Sequence, residues 1–588
     1  MYDKYTDISI YLSYKRVMEK FEDKVLKRLN YIFEGEESKI NYIANKINEL
    51  KVKYRGLNKV EDTEWISEKD TFLITYGDSL TKNDEKPLNV LNQFLNEKLN
   101  GYINNVHILP FFPWTSDDGF SVVDYRKIDP SLGNWNDVQE IAKEFNMMYD
   151  AVINHISAES DWFKGFLNDD IRYKDYFIVQ DDVEELKLVT RPRTLPLLTE
   201  FETKSGKKKV WTTFSEDQID LNFRNEDLFV EIIDILLFYV EMGAKSIRLD
   251  AIGYMWKELG TNCIHQPKAH EIIKLWRDIF NEVAPNTILI SETNVPHKDN
   301  ISYFGNGYDE VKMVYQFPLP PLTVHTMQTG NSTRILDWLD GLKMVSDKTT
   351  FFNFLSSHDG IGVVPATGLL TQDEIDRMIE KVIEHGGRIS YKNNSDGSSS
   401  PYEMNINYLE ALSSPNLDIK KRCYVLLSAV NILNSIIGVP AIYIHTILGS
   451  LNDYEGLART GRNRSINREK LDYDIVREEL ESKESLRNMV FYGIIKQIEA
   501  RSSEKTFHPI ANQKVVKIDD RIFSIIRSNG DEELLVINNI SNDTIELEYL
   551  KILELFSDKR DILIEIINKK EIKDSKIVLN PYEYMWLK

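Results

Sequence analysis

The sequence predicts an α/β protein built on an eight-stranded parallel (β/α)8 barrel. Three observations carry this. Short apolar runs recur at the spacing of β–α units: FLITYGDS, VHILPFF, MMYDAVINH, AKSIRLDA, TILISETN, TTFFNFLSSHD and GVPAIYIH. Helical patterns lie between them, such as LNQFLNEKL, DVQEIAKEF, FVEIIDILLFYVEMG and HEIIKLWRDIFNEV, and such alternation with buried-looking strands builds a parallel sheet. Polar residues gather at the strand ends (Asn154-His155, Arg248 and Asp250, Glu292, His358-Asp359), where a closed barrel has its active-site face. An open doubly wound sheet is the alternative, but no Gly-rich phosphate loop follows the first strand.

Residues 1–68 read as a helical N-terminal extension, with Val25, Leu29 and Ile32 at helical spacing and Gly and Pro nearly absent. The barrel is expected from 69–156, 226–365 and 426–498. Two stretches break the alternation: 157–225, which carries RPRTLPLL, and 366–425, which carries NNSDGSSSPYE. Long irregular insertions in a barrel are usually functional loops or small subdomains over the site. Residues 499–588 alternate apolar and polar (RIFSIIRS, ELLVINNI, IELEYL) and read as an antiparallel β domain.

Composition narrows the function. The 588 residues carry 72 Lys plus Arg against 93 Asp plus Glu, a net −21, and no basic run is longer than Lys207-Lys208-Lys209. Nucleic acid and anionic membrane surfaces are thereby disfavoured as partners. The two cysteines, Cys263 and Cys423, cannot build a disulfide framework or a Cys-based zinc site. No apolar run reaches 18 residues, and MYDKYTDISIYLSYKR has no basic region followed by an apolar core. A cytoplasmic protein is expected.

The strand ends carry the chemistry. Arg248 and Asp250 are two apart, so a strand points both to one face, where the cation favours the ionised carboxylate. Glu292 ends the next run, about one β–α unit on, and Asp359 ends another beside His358. Three carboxylates at one barrel mouth are a glycosidase set: nucleophile, general acid/base and stabiliser.

DAVINH, IRLDAIGY, ISETN and LSSHDG, in that order and spacing, resemble the four sequence regions of the α-amylase superfamily (glycoside hydrolase family 13). HILPFFPWTSDDGFSVVDYRKIDPSLGNW, RLDAIGYMWKELGTNCIHQPK, VYQFPLPPLTVHT and SSHDGIGVVP are similar to its sucrose-phosphorylase subfamily. The resemblance spans residues about 71 to 500. It implies a retaining α-glucoside phosphorylase with sugar and phosphate as small-molecule partners, phosphate being a co-substrate. No cofactor or metal is implied, and a homodimer is left open.

Carried over by motif, Asp250 would be the nucleophile, Glu292 the acid/base and Asp359 the transition-state stabiliser. Arg248 would keep the nucleophile ionised, and His155 and His358 would bind glucosyl hydroxyls. Asp117 and Arg464 would close on the far end of the glucose, although Arg462 and Arg468 compete with Arg464 for that role. Arg193 of the RPR motif and Tyr254 would take phosphate. The chain departs from the sucrose enzymes at Asn294, where they have His, and in SSSPYEMNINY, which keeps Tyr402 but has Ser400 and Glu403 in place of the Asp and Gln that touch fructose. These departures resemble the glucosylglycerate-phosphorylase branch, whose carboxylate acceptor requires a cation; Arg388 and Lys392 are the nearest on the insertion. Sucrose, sucrose 6-phosphate and glucosylglycerol phosphorylase are the alternatives, followed by a hydrolase or transglucosidase and by a non-catalytic barrel.

Overall fold

The computed structural model describes residues 20–57, 64–193, 195–393 and 398–588. Eight parallel strands close into a barrel: β1 Phe72–Thr75, β2 Asn105–Ile108, β3 Asn146–Ala151, β4 Ala244–Leu249, β5 Ile288–Ser291, β6 Met313–Tyr315, β7 Thr350–Phe354 and β8 Val439–Tyr443. β8 closes the ring on β1, with Phe72 paired to Ala441 and Leu73 to Ile442. The strands are buried on both faces, which is why they read as unbroken apolar runs. β6 is absent from the seven runs read in the sequence. It has three residues and is followed almost at once by the proline-bearing helix Leu319–Thr329, too short for a periodicity to show.

The first described elements are the helices Phe21–Ile32 and Glu37–Lys53, while residues 1–19 and 58–63 of the expected extension lie outside the described residues. The two helices bury Val25, Leu29, Ile32, Ile40, Ile43 and Ile47 in the same core as the barrel. Polar contacts fix their register on the barrel's outer helices. Arg28 donates to Glu271 (2.8 Å) and Asp278 (3.1 Å) on Pro267–Val283, and Tyr54 to Asp234 (2.8 Å) on Glu226–Glu241.

The stretch 157–225 holds the helix Asp161–Leu167 and the hairpin Leu198–Thr203 with Gly206–Trp211. The stretch 366–425 holds the helix Gln372–Glu384 and the hairpin Arg388–Asn393 with Ser399–Asn405, which pairs in turn with Ile361–Gly362 just after Asp359. Its expected end at 425 cuts the helix Ile419–Ser435, which leads into β8 and is buried along nearly its whole length. The end of the chain forms a six-stranded sheet and a separate two-stranded pair, Ile545–Glu548 with Lys576–Leu579, as the alternation indicated. Among the described residues no helix is long and apolar enough to cross a membrane.

Two buried arginines tie the C-terminal sheet to the start of the barrel strands. Arg501 donates to the carbonyls of Glu68, Asp70 and Gly438, which precede β1 and β8, and to those of Asn434 and Phe507. Arg527, on the strand Ile522–Asn529, donates to Ser435 (2.9 Å) and His508 (2.8 Å). Burial pushes Arg527 down to about 9, and Arg501 nearby adds to the shift. Hydrogen bonds from a charged group contribute about 1.5–3 kcal/mol each, and the orphaned carbonyls add a penalty. Arg527→Met is expected to destabilise the protein by about 3 kcal/mol or more by that reckoning. Denaturant unfolding reads this against Lys517→Ala, which breaks only an exposed pair with Asp337 and should leave the midpoint in place.

Candidate active site

A parallel barrel points the C-terminal ends of all its strands the same way, so side chains distant in sequence converge there. Asp250 follows β4, Glu292 follows β5, and His358-Asp359 lies four residues past β7; all four line one cavity. Asp117, His155, Arg193, Tyr254, Asn294, Tyr402, Glu403 and Arg464 line it too. Backbone strain clusters here: Asp117 (φ 56°), Asp118 (φ 49°) and Ala251 (φ 47°) are left-handed residues other than glycine, at a typical cost of about 1–3 kcal/mol each. At Ala251 the turn aims the amide at the site, where it donates to Glu292 Oε2 at 3.2 Å.

Arg248 sits beneath the carboxylates, 2% exposed. Its Nη1 donates to Asp250 Oδ1 at 2.8 Å and to Asp150, and Asp150 is hydrogen-bonded to His107 at 2.6 Å. Its Nη2 is 3.7 Å from Glu292 Oε2. Phe120 and Tyr315 present their rings to the guanidinium at 5.6 and 5.5 Å. Burial raises the carboxyls of Asp250 and Glu292; Arg248 opposes the rise, and neighbouring carboxylates add to it. Two buried carboxyls facing one cation compete for its charge and titrate as a coupled pair. The guanidinium is in hydrogen-bond contact with Asp250 at 2.8 Å and further from Glu292 at 3.7 Å, which favours the charge on Asp250, while burial pushes that same carboxyl up to about 8.

Asp359 is kept ionised. Burial works against this, but Arg464, with His358, Arg468 and Arg248 behind it, holds the carboxyl well below the usual range. Arg464 Nη1 contacts Asp359 at 2.7 Å, while Nη2 and Nε grip Glu403 at 2.6 and 3.1 Å. The three arginines that compete in the sequence therefore separate: Arg464 is on Asp359, Arg468 binds Asp118 and the His358 carbonyl, and Arg462 lies at the mouth.

Asp117 and Arg464, expected to close together on the far end of the glucose, both line the cavity and are held there by other partners. Asp117 is paired with Arg193 at 2.8 Å, and Arg464 is occupied by Asp359 and Glu403. Arg193 also lies 5.7 Å over Phe214, whose ring meets Tyr254 edge-on at 5.4 Å. His358 stacks on Phe120 at 4.7 Å, and burial pushes it down to about 3, leaving a neutral imidazole. His155 lines the cavity with both ring nitrogens engaged, Nε2 on the Phe120 carbonyl (2.8 Å) and Nδ1 near the Asn154 amide (3.2 Å).

Arg388 is not part of this site. It is exposed, its Nη1 donates to the carbonyls of Gly386 and Gly387, and it lines neither the cavity nor its mouth. Lys392 is likewise absent from both linings. The hairpin brings Tyr402 and Glu403 over the barrel while Arg388 stays at its base, paired with Asn405. Sequence reasoning also missed Asp150, His107, Phe120, Phe214, Gln218 and His265. Asp150, His107, Phe120 and His265 lie inside the motifs DAVINH, HILPFFPWTSDDGF and TNCIHQPK, so their positions had a signal although their roles did not; Phe214 and Gln218 had none.

Among known proteins, the family model described as alpha amylase, catalytic domain, matches residues 99–381. A glucosylglycerate phosphorylase of Spirochaeta thermophila is 44% identical, over 96% of this chain and 98% of the relative. A protein of the same name from Escherichia coli K12 is 42% identical, over 96% of this chain and all of the relative. Sucrose phosphorylases are more distant. The crystal structure of sucrose 6F-phosphate phosphorylase from Thermoanaerobacter thermosaccharolyticum shares the fold, with a TM-score of 0.70, 24% identity, and coverage of 80% of this chain and 94% of that one. With its closed barrel, its strand-end carboxylates and near full-length similarity at over 40% identity, the chain belongs to the glucosylglycerate phosphorylase family of α-amylase-type proteins.

Proposed function

We propose that the protein transfers a glucosyl unit between glycerate and inorganic phosphate, with retention, through a covalent intermediate on Asp250. One observation carries the chemistry: a single buried guanidinium contacts Asp250 at 2.8 Å and stands 3.7 Å from Glu292. That asymmetry leaves one carboxylate charged for attack and one carboxyl protonated for donation, as a double displacement requires.

In the first half, Glu292 gives its proton to the glycosidic oxygen while Asp250 attacks C1. The C1–O bond breaks, glycerate leaves, and the β-linked glucosyl-enzyme remains. In the second half, phosphate attacks C1, Glu292 takes the phosphate proton, and Asp250 is released with α-glucose 1-phosphate. Asp359, held ionised by Arg464, faces the same cavity and supplies negative charge for the sugar hydroxyls and the oxocarbenium character of the transition state. His358, kept neutral by burial, supplies a hydroxyl partner on the same wall. Arg193 and Tyr254 line the acceptor side, where an anion needs donors; Tyr402, Asn294 and the Glu403–Arg464 pair shape its walls. The reading needs no cofactor. Two free, buried cysteines accord with a cytoplasmic setting.

The leaving group rests on the relatives named as glucosylglycerate phosphorylases. With glucose 1-phosphate as donor, D-glycerate is expected to release phosphate faster than fructose, fructose 6-phosphate or glycerol; faster release with fructose would reject glycerate. Asp250→Asn should abolish turnover with every acceptor while leaving the thermal unfolding midpoint near that of the parent, because covalent catalysis has no substitute nucleophile at the end of β4. Glu292→Gln should slow phosphorolysis of a glucoside by about 10²–10⁴-fold, the usual worth of general acid catalysis. Transfer from glucosyl fluoride, which needs little protonation, should fall much less; equal losses on both donors would make Glu292 a structural residue.

A further inference from the structure

The acceptor wall holds a histidine that the mechanism above leaves unused. His265 follows the nucleophile by fifteen positions, within TNCIHQPK, and lines the catalytic cavity beside Asn294 and Tyr254. Its backbone is left-handed (φ 54°), as is that of Cys263 (φ 51°), so the turn is strained on both sides of Ile264. The ring is held from three directions. Its backbone amide donates to the Gly253 carbonyl at 2.9 Å. A Cβ on Gly253 would lie 3.1 Å from His265 Cε1 and 3.1 Å from the Tyr303 hydroxyl, so the imidazole and the phenol are both seated against bare backbone. Nδ1 is 2.7 Å from the Tyr303 hydroxyl.

That last contact sets the tautomer. Tyr303 is fully buried and its ring stacks on His270 at 4.5 Å. Among the described residues its hydroxyl meets no acceptor other than His265 Nδ1, and a buried phenolic proton needs one. Tyr303 therefore donates, Nδ1 accepts, and the ring proton is left on Nε2. Burial lowers the imidazole's affinity for a second proton. Nε2 has no partner among the described residues, and the ring forms part of the cavity wall.

We infer that His265 is an acceptor-binding residue whose Nε2–H donates to an anionic oxygen of the acceptor, the carboxylate of glycerate in one half-reaction and phosphate in the other, with Tyr303 as the positioning residue that fixes its tautomer. This rests on the phosphorylase reading above. It makes chemical sense of the pair of acceptors: both are small oxyanions, so one fixed N–H donor in the cavity that Arg193 also lines serves each in turn without rearrangement.

The test uses glucosyl fluoride as the common donor, with inorganic phosphate and D-glycerate as separate acceptors. His265→Phe is expected to raise the KM for both anions by about 10- to 100-fold, the worth of one hydrogen bond to a charged group, while the KM for glucosyl fluoride moves by less than about threefold. His265→Gln, whose amide can donate from a similar place, should recover most of the loss, and Tyr303→Phe should raise both acceptor KM values by a smaller factor. Unchanged acceptor KM values in His265→Phe overturn the assignment, as does a rise confined to one anion or a loss equally large in His265→Gln. Should His265→Phe not fold, Tyr303→Phe decides, and unchanged KM values there overturn it. An unmodified protein that hydrolyses glucosyl fluoride yet transfers to neither anion refutes the phosphorylase reading instead.

Discussion

A single buried guanidinium reconciles the charges on which the site depends. Asp250 and Glu292 line one cavity, and Asp150 is buried behind them; without Arg248 they would repel one another and take up protons. Arg248 is itself positioned by sequence and fold together. It stands two residues before Asp250, so β4 points both side chains inward, and β3 brings Asp150 alongside in register. His107 on β2 completes the chain by bonding Asp150. Three consecutive barrel strands thus share the work of placing one charge.

Around that centre the insertions act as a second layer. The hairpin after Asp359 delivers Glu403, which takes two of the Arg464 nitrogens and leaves the third for Asp359. The loop after β2 delivers Phe120, whose ring stacks on His358 and faces Arg248 and whose carbonyl occupies His155. Residues that look like separate sugar contacts are thereby joined through one phenylalanine. The strained backbone at Asp117, Asp118, Ala251, Cys263 and His265 lies in this layer, where the surrounding packing holds conformations that an isolated loop would abandon.

What is legible in the sequence follows the same division. Strand alternation and the spacing of β–α units are local patterns, and they suffice to place the strand-end carboxylates Asp250, Glu292 and Asp359 at one barrel mouth. β6 is hidden by its brevity, and the hairpin misleads. Arg388 and Lys392 are close in sequence to Tyr402 and Glu403, but a register shift between Ser390 and Tyr391 and the fold-back onto Ile361–Gly362 set which end reaches the cavity. Asp117 and Arg464 do share one cavity, as their motifs indicate, yet their ion-pair partners are set by neighbours supplied from other loops, which spacing does not encode. Phe120, Phe214 and His265 belong to the same class of residues, whose roles come from tertiary juxtaposition alone.

The proposed double displacement requires the buried carboxyl pair to carry its proton on Glu292 and not on Asp250. Neutron diffraction from deuterated crystals of the unliganded protein at neutral pH reads this directly. The expected result is nuclear density for a deuteron on Glu292 and none on either oxygen of Asp250, with Arg248 fully deuterated between Asp150 and Asp250. A deuteron on Asp250 with Glu292 bare would contradict the proposed mechanism, because the proposed nucleophile would then be neutral and the proposed acid without its proton.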